Sequence, residues 1–256
     1  MPTNANGAGA RYRFERLTLP LVLADRRFGP TDPGPGDLMP PFDLPTVDGG
    51  RFGSDEFGQR VATLVVFGSA TCPVTDNAAP GLKRLYHRFG KRVRIVMVYV
   101  REAHPGSSWP QPGTFDRKMA HAEALRALYG FQFEVAVDDI NGTFHRSMSP
   151  KPNSAYLVDR DGTILFRAHW ANDTRALERA LEQVMADETP SPSRSGGMLK
   201  ATSRMMPHVA PALDRAGSQA WRDLWRVALP IAAMASVLKI LGPAPRRNTI
   251  SHSERS

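Results

Sequence analysis

The chain has 256 residues, of which 41% are hydrophobic and 23% are charged, fractions that are ordinary for a soluble globular protein. This length allows one core of about 150 residues with appendages, or two small domains. The single cysteine, Cys72, excludes any disulfide within the chain and favours a reducing compartment.

The net charge of +8 is concentrated towards the C-terminus. Residues 190–256 hold ten Lys or Arg against three Asp or Glu, so this region carries +7 and the rest of the chain is nearly neutral. The basic residues are scattered, and only Arg246 and Arg247 adjoin. This pattern does not favour nucleic-acid binding.

The N-terminal region predicts an extension ahead of the main domain. The apolar run at 17–24 is broken by Pro20 and lacks a small-residue cleavage site, so we expect no secretory signal and a cytoplasmic location. Alternating polar and apolar residues at 11–15 predict an edge strand. Because residues 29–45 are rich in Pro and Gly, we assign residues 1–36 to an extension and linker.

The central part alternates strand and helix patterns. The continuous apolar runs at 61–67 and 93–100 predict buried parallel strands. Apolar residues at helical spacing predict helices over 74–89 and 114–129.

A third strand, a hairpin and a last helix complete this part. We predict a short strand at 133–137 and a pair at 155–158 and 163–167, joined by the turn sequence Asp-Arg-Asp-Gly. A closing helix is expected at 173–186. This order predicts an α/β fold of thioredoxin-like type, a mixed β-sheet flanked by helices, over residues 37–187.

Past the domain, the composition predicts a linker at 188–198 and a basic helical tail at 199–256. Within it, Trp221 and Trp225 share one helical face, and an apolar stretch follows Pro230. That stretch is shorter than the roughly 20 apolar residues that span a bilayer. The tail therefore lies on a membrane surface, docks on the domain or on a second subunit, or is disordered.

Cys72 directly follows the first central strand and precedes a helix that Pro73 begins. Backbone N–H groups and the helix dipole stabilise a thiolate at this place, so we expect an accessible thiol of lowered pKa. The hydroxyls of Ser69 and Thr71 are candidate donors to the sulfur or to a bound oxyanion. The alternative is an inert, buried cysteine.

The nucleophile has no partner cysteine. A dithiol enzyme would need a second cysteine at position 75, which is Thr75. Any turnover therefore requires an external thiol, such as glutathione, a thioredoxin or a second protein molecule. We expect no tightly bound cofactor, and no metal, because the histidines lack ligand spacing.

Glu102 and His104 follow the second central strand, at the sheet edge that the end of the first strand shares. A histidine near a thiol can act as base or proton donor, and a glutamate can orient it. The alternative is a solvated surface loop. Trp109, in the same segment, either walls an apolar pocket or covers the loop.

These motifs resemble a known family. The string FGSATCP at 67–73 and the string YVREAHPGSSW at 99–109 are similar to the iodothyronine deiodinases, whose FGS-x-T motif ends in selenocysteine and proline. The resemblance continues through 137–146 and 151–167 and covers about residues 40–186.

The resemblance implies site residues. Cys72 takes the place of the selenocysteine, and Glu102 and His104 occupy active-site positions. Arg101 stands where the family string has its first Glu. A further family histidine is not matched, because Phe115 lies near its place and His121 is offset.

Two features point to the wider thioredoxin and peroxiredoxin superfamily. The string FDLPTVDGGRF at 42–52 resembles peroxiredoxins and membrane-tethered thioredoxin-like proteins. Thioredoxin-type folds resemble one another in a cis-proline that faces the nucleophile, which implies this role for Pro152. Most X–Pro bonds are trans, so the trans alternative stays open.

Together these observations predict an oxidoreductase, deiodinase-like or peroxiredoxin-like, with an antioxidant role. The thiolate of Cys72 would attack a small electrophile (a peroxide oxygen, a disulfide sulfur or a halogen on an aromatic ring), and an external thiol would regenerate it. The alternative is a redox-silent binding module on the same fold. Through the tail, the protein would contact the inner membrane face or a second copy of itself.

Overall fold

The strands and helices follow the apolar pattern of the sequence. The computed structural model describes residues 12–24, 28–192 and 198–241. The strands there are β1 (Asp43–Pro45), β2 (Arg51–Gly53), β3 (Ala62–Gly68), β4 (Val93–Tyr99), β5 (Glu134–Val137), β6 (Ala155–Val158) and β7 (Ile164–Ala168). The helices are α1 (Leu19–Ala24), α2 (Pro73–Phe89), α3 (Phe115–Tyr129), α4 (Thr143–Ser147), α5 (Thr174–Met185), α6 (Met198–Ala216), α7 (Ser218–Val227) and α8 (Leu229–Leu241).

A five-stranded mixed sheet has the order β5-β4-β3-β6-β7. β3 and β4 pair in parallel from Ala62 opposite Val93, and β5 continues the parallel part beside β4. β6 pairs antiparallel with β3, and β7 pairs antiparallel with β6. All seven residues of β3 are buried, as expected of a central strand covered on both faces. The predicted thioredoxin-like mixed sheet is confirmed.

Three helices cover one face of the sheet. The connections β3-α2-β4 and β4-α3-β5 step in the same direction across the sheet, and right-handed crossovers then put both helices on one face. α5 packs beside α2, and their leucines join one core with β3 and β4. The opposite face is closed by the β1–β2 pair, a 3-10 turn at Ser54–Gln59 and α4.

The C-terminal helices fold back onto the domain. α6 lies along α2, and α7 and α8 pack against α6. α1 joins them in a separate apolar cluster whose buried members include Leu17, Leu213 and Leu224. We call α1, α6, α7 and α8 the helical cap. No helix in the described ranges is long and apolar enough to cross a membrane.

The edge strand predicted at 11–15 is wrong for the described residues from 12 onward, which form no strand. The reason is the side chain of Tyr12, which is buried and whose hydroxyl lies 2.7 Å from Nδ1 of His145. This segment is held by a side chain that enters the core, not by backbone pairing. Part of the linker predicted at 188–198 lies outside the described residues.

Candidate active site

The cysteine lies at the junction between β3 and α2, as the sequence predicts. Cys72 is the N-cap residue of α2, and Pro73 takes the first helical position. The backbone N–H groups of Val74 and Thr75 and the hydroxyl of Thr75 lie near the sulfur, and each lowers the pKa of the thiol. The helix N-terminus therefore supplies the donors that a thiolate needs.

Burial outweighs these donors. Cys72 is 2% exposed, and the loss of water around the thiolate raises the pKa of the thiol to about 11. The prediction of an accessible thiol with a lowered pKa is therefore wrong for this structure. The physical reason is the helical cap, which covers the end of β3 and excludes solvent from the sulfur.

An apolar cavity of about 150 Å³ adjoins the sulfur of Cys72. The domain side of this cavity is lined by the loops around His104 and Pro152 and by the ring of Trp170. The rest of its wall comes from the helical cap and the segment just before α1. It is largely aliphatic and consists of Leu17, Val22, Ala201, Thr202, Met205, Val209, Leu224, Ala228 and Ile231. The cavity thus suits a small apolar molecule held against the thiol.

Glu102 is fully buried and collects four donors. Its Oε2 accepts from the backbone N–H of Thr71 at 2.9 Å and from the Thr71 hydroxyl at 2.5 Å. Its Oε1 accepts from the indole N–H of Trp109 at 3.1 Å and from the hydroxyl of Tyr99. Burial nevertheless raises the pKa of this carboxyl to about 7. Because Glu102 does not line the cavity, it orders the loop behind the cysteine.

His104 lines the same cavity as Cys72. Burial lowers the pKa of its imidazole to about 4, so the ring is neutral near pH 7. Its Nδ1 atom is buried and has no hydrogen-bond partner among the described residues. The ring therefore has an unpaired nitrogen in a site that also holds a thiol.

The expected orientation of His104 by Glu102 is indirect. The backbone N–H of His104 donates to the Thr71 hydroxyl oxygen at 3.1 Å, and that hydroxyl donates to the carboxylate. Thr71 thus links the two loops at the sheet edge. It serves as a bridge and makes no hydrogen bond to the sulfur among those described.

The remaining predicted residues take different places. The Ser69 hydroxyl accepts from the backbone N–H of Ala103 at 3.2 Å, so it joins the same two loops. Trp109 holds Glu102 and does not line the cavity. Pro152 does line it, but the preceding peptide bond is trans. The cis-proline expected from the resemblance is therefore corrected to the isomer that most X–Pro bonds adopt.

Two residues near the site were not among the predicted site residues. Trp170 packs against Cys72 and lines the cavity. It follows β7, which runs in the same direction as β3, so the order of the strands could have placed it at this edge. His121 stacks on Trp109 with ring centroids 4.9 Å apart, and its Nδ1 lies 3.9 Å from Oε1 of Glu102. The histidine that is offset in sequence thus lies close to the carboxyl of Glu102.

One ion pair fastens the helical cap beside the cysteine. Arg215 of α6 approaches Asp76 of α2 with Nη1 3.1 Å from Oδ1 and Nη2 3.3 Å from Oδ2. The same guanidinium donates to the backbone carbonyl of Ala70, in the loop between β3 and Cys72. The hydroxyl of Tyr129 donates to Asp76 as well. No group of three or more metal-ligand side chains occurs in the part of the chain that the structure describes.

Comparison with known proteins finds a similarity that includes Cys72, Glu102 and His104. The model of the iodothyronine deiodinase family matches residues 35–127. The type II iodothyronine deiodinase of Bos taurus is 39% identical over 69 residues, and that of Rattus norvegicus is 36% identical over 69 residues. Each alignment covers 27% of this chain and 26% of the relative, so the chain spans about a quarter of the curated relatives it matches.

Among solved structures, Peroxidoxin BcpB from Mycobacterium tuberculosis superposes with a TM-score of 0.46 at 16% identity, over 60% of this chain and 97% of that one. The resemblance to the deiodinase family that the motifs at 67–73 and 99–109 carry is confirmed, since both lie inside the matched segment.

Proposed function

We propose that this chain, whose residues 35–127 match the iodothyronine deiodinase family, is an oxidoreductase that reduces a small electrophile with the thiol of Cys72. The observation that carries the proposal is the joint placement of Cys72 and a neutral His104 on one apolar cavity, at the N-terminus of α2. A thiol, a base and a pocket for a reactant are the parts that such a reaction needs.

The proton of the thiol goes to the imidazole. At neutral pH a thiol with a pKa of about 11 is protonated, and the imidazole of His104, with a pKa of about 4, is a weak base. The proton therefore passes to the ring as the sulfur attacks the electrophile, and not in a step before it. As the proton leaves, the amides of Val74 and Thr75 stabilise the charge on the sulfur. The covering helices exclude water, which strengthens these interactions.

A hydroperoxide is one electrophile that this thiol would reduce. The sulfur bonds to the terminal peroxide oxygen, the O–O bond breaks, and the alkoxide leaves as an alcohol with the proton from His104. Cys72 is oxidised by two electrons to a sulfenic acid. One external thiol then forms a mixed disulfide and releases water, and a second thiol releases the reductant's disulfide and restores the cysteine. Glutathione or a thioredoxin would supply these thiols, since the chain has one cysteine. Because either reductant is larger than the cavity, it reaches the sulfur only when the helical cap moves.

The cavity limits the electrophile by size. About 150 Å³ accommodates a molecule of roughly the size of benzene. Pockets for drug-sized ligands are larger, about 300–1,000 Å³. A small organic peroxide or disulfide therefore fits this cavity, whereas a larger halogenated aromatic compound requires the helical cap to move.

The first test replaces the nucleophile and the base. We expect Cys72→Ser to abolish glutathione-dependent reduction of tert-butyl hydroperoxide, and His104→Ala to slow it about 100-fold or more, because a positioned base contributes about that much. His87→Ala, at an exposed position on α2, is the matched control and should retain the wild-type rate. Undiminished turnover in the serine variant would contradict the mechanism.

The burial of Cys72 favours a second candidate, a redox-silent binding module. Mass spectrometry of Cys72 after limiting peroxide separates the enzyme from the binding module. In the enzyme, Cys72 forms a sulfenic acid when glutathione is absent and a glutathione adduct when glutathione is present. An unmodified cysteine under both conditions would identify the binding module.

A further inference from the structure

The exposed apolar side chains of the protein are concentrated in the helical cap. Ten large hydrophobic residues are exposed in the described ranges, and eight of them lie on α1, α7 and α8. They are Leu19, Leu23, Trp225, Leu229, Met234, Val237, Ile240 and Leu241. Soluble monomers rarely leave such a set on one group of helices unless it contacts something.

α8 has one covered face and one uncovered face. Ala232 and Ala235 are buried against the other cap helices. Met234, Val237 and Leu241 recur at helical spacing on the other side and are 53%, 48% and 77% exposed. With 13 residues, α8 is about 20 Å long, which suits a helix that lies in a membrane interface.

The exposed charged residues of α7 and α8 themselves are all basic. Asp223 is the only acidic residue between positions 218 and 241, and it is buried beside Arg16, with the two side chains 2.5 Å apart. The exposed charges of α7 and α8 are therefore Arg222, Arg226 and Lys239. Arg226 lies 3.8 Å from the same aspartate, and Lys239 pairs with Asp214 of α6 at 2.6 Å.

From these observations we infer that α7 and α8, with α1 beside them, form a membrane-binding surface that recognises anionic lipid. Basic residues next to an apolar face attract a negatively charged bilayer, whereas two copies of this surface would bring like charges together. Trp225, which is 42% exposed on α7, is a side chain that favours the boundary between lipid and water. This inference does not depend on the redox chemistry of Cys72.

Flotation of the full chain with lipid vesicles tests the proposal. We expect the protein to float with vesicles of phosphatidylcholine and phosphatidylglycerol and to stay in solution with phosphatidylcholine alone, because the basic residues need an anionic partner. Met234→Glu with Val237→Glu should lower the bound fraction at least about tenfold, since it places charge on the apolar face. Arg222→Glu with Arg226→Glu should lower it about 25-fold or more, as each arginine contributes about fivefold.

The matched control is Leu38→Glu, which adds a charge at an exposed leucine outside the helical cap and should bind as the wild type does. Circular dichroism of each variant establishes that the helices are retained. The proposal is overturned if the wild type does not float with anionic vesicles, or if the Met234 and Val237 double variant floats equally well. It is also overturned if sedimentation shows a dimer that this variant disrupts while no vesicles are bound.

Discussion

At the scale of single residues, the carboxyl of Glu102 is the most densely bonded group behind the cysteine. Four donors from Thr71, Tyr99 and Trp109 converge on its two oxygens, and the side chain has no contact with solvent. These bonds connect the loop after β3 with the loop after β4. Glu102 therefore strengthens the link that the Ser69–Ala103 and Thr71–His104 hydrogen bonds also make between these loops.

Glu102→Gln should lower the free energy of unfolding by about 1–3 kcal/mol, because the amide N–H₂ of Gln would face donors and leave at least one of them unpaired. Urea unfolding measures this loss, and Glu123→Gln at an exposed position of α3 is the control.

The loss also depends on pH. Folding raises the pKa of Glu102 from 4.5 to about 7, so its contribution to stability is present below pH 4.5 and disappears as the pH rises through 7. The deficit of the Gln variant should therefore be larger at pH 5 than at pH 8. An equal deficit at both pH values would contradict the raised pKa.

The thiol itself has a predictable pH profile. With a pKa of about 11, alkylation of Cys72 by iodoacetamide should accelerate about tenfold per pH unit between pH 8 and 10, because the thiolate fraction rises by that factor. Mass spectrometry of the alkylated peptide gives the rate. A midpoint below about 8.5, the value of a free thiol, would show that the sulfur is accessible and activated in solution.

At the scale of secondary-structure elements, the contact between α6 and α2 lies beside the covered cysteine. α6 runs along α2, and Arg215 joins the start of α2 to the loop before the cysteine. The ion pair with Asp76 is largely shielded from water, since the two side chains are 18% and 7% exposed. Such a pair resists loosening more than an exposed pair does.

We therefore expect Arg215→Ala to loosen α6 and to uncover the thiol. Alkylation of Cys72 at pH 8 should accelerate about tenfold or more, as the pKa moves back towards its ordinary value when water returns. Arg222→Ala, on the exposed side of α7, should leave the rate unchanged. If both variants react at the wild-type rate, the ion pair does not control access to the sulfur.

At the scale of the whole molecule, local patterns predicted the sheet and its helices, whereas contacts between distant segments were missed. Segments of about ten residues or fewer were enough to predict β3, β4 and the turn before β7. The resemblance further identified Glu102 and His104. The covering of Cys72 was not predicted, because it depends on Arg215 meeting Asp76, 139 positions away. The contact between Tyr12 and His145, which are 133 positions apart, likewise cannot be predicted from local sequence.

The cavity wall also has a consequence for biosynthesis. Cys72 precedes part of its cover, up to Ile231, by 159 residues, so it is translated well before that cover. At about 5–20 residues per second, the ribosome needs roughly 10–30 s to travel between these two points. During that interval the nascent domain can fold with its thiol open to the surrounding solution. The cysteine is thus most vulnerable to premature oxidation before its covering helices are translated, and the redox state of the compartment of synthesis bears on the yield of intact protein.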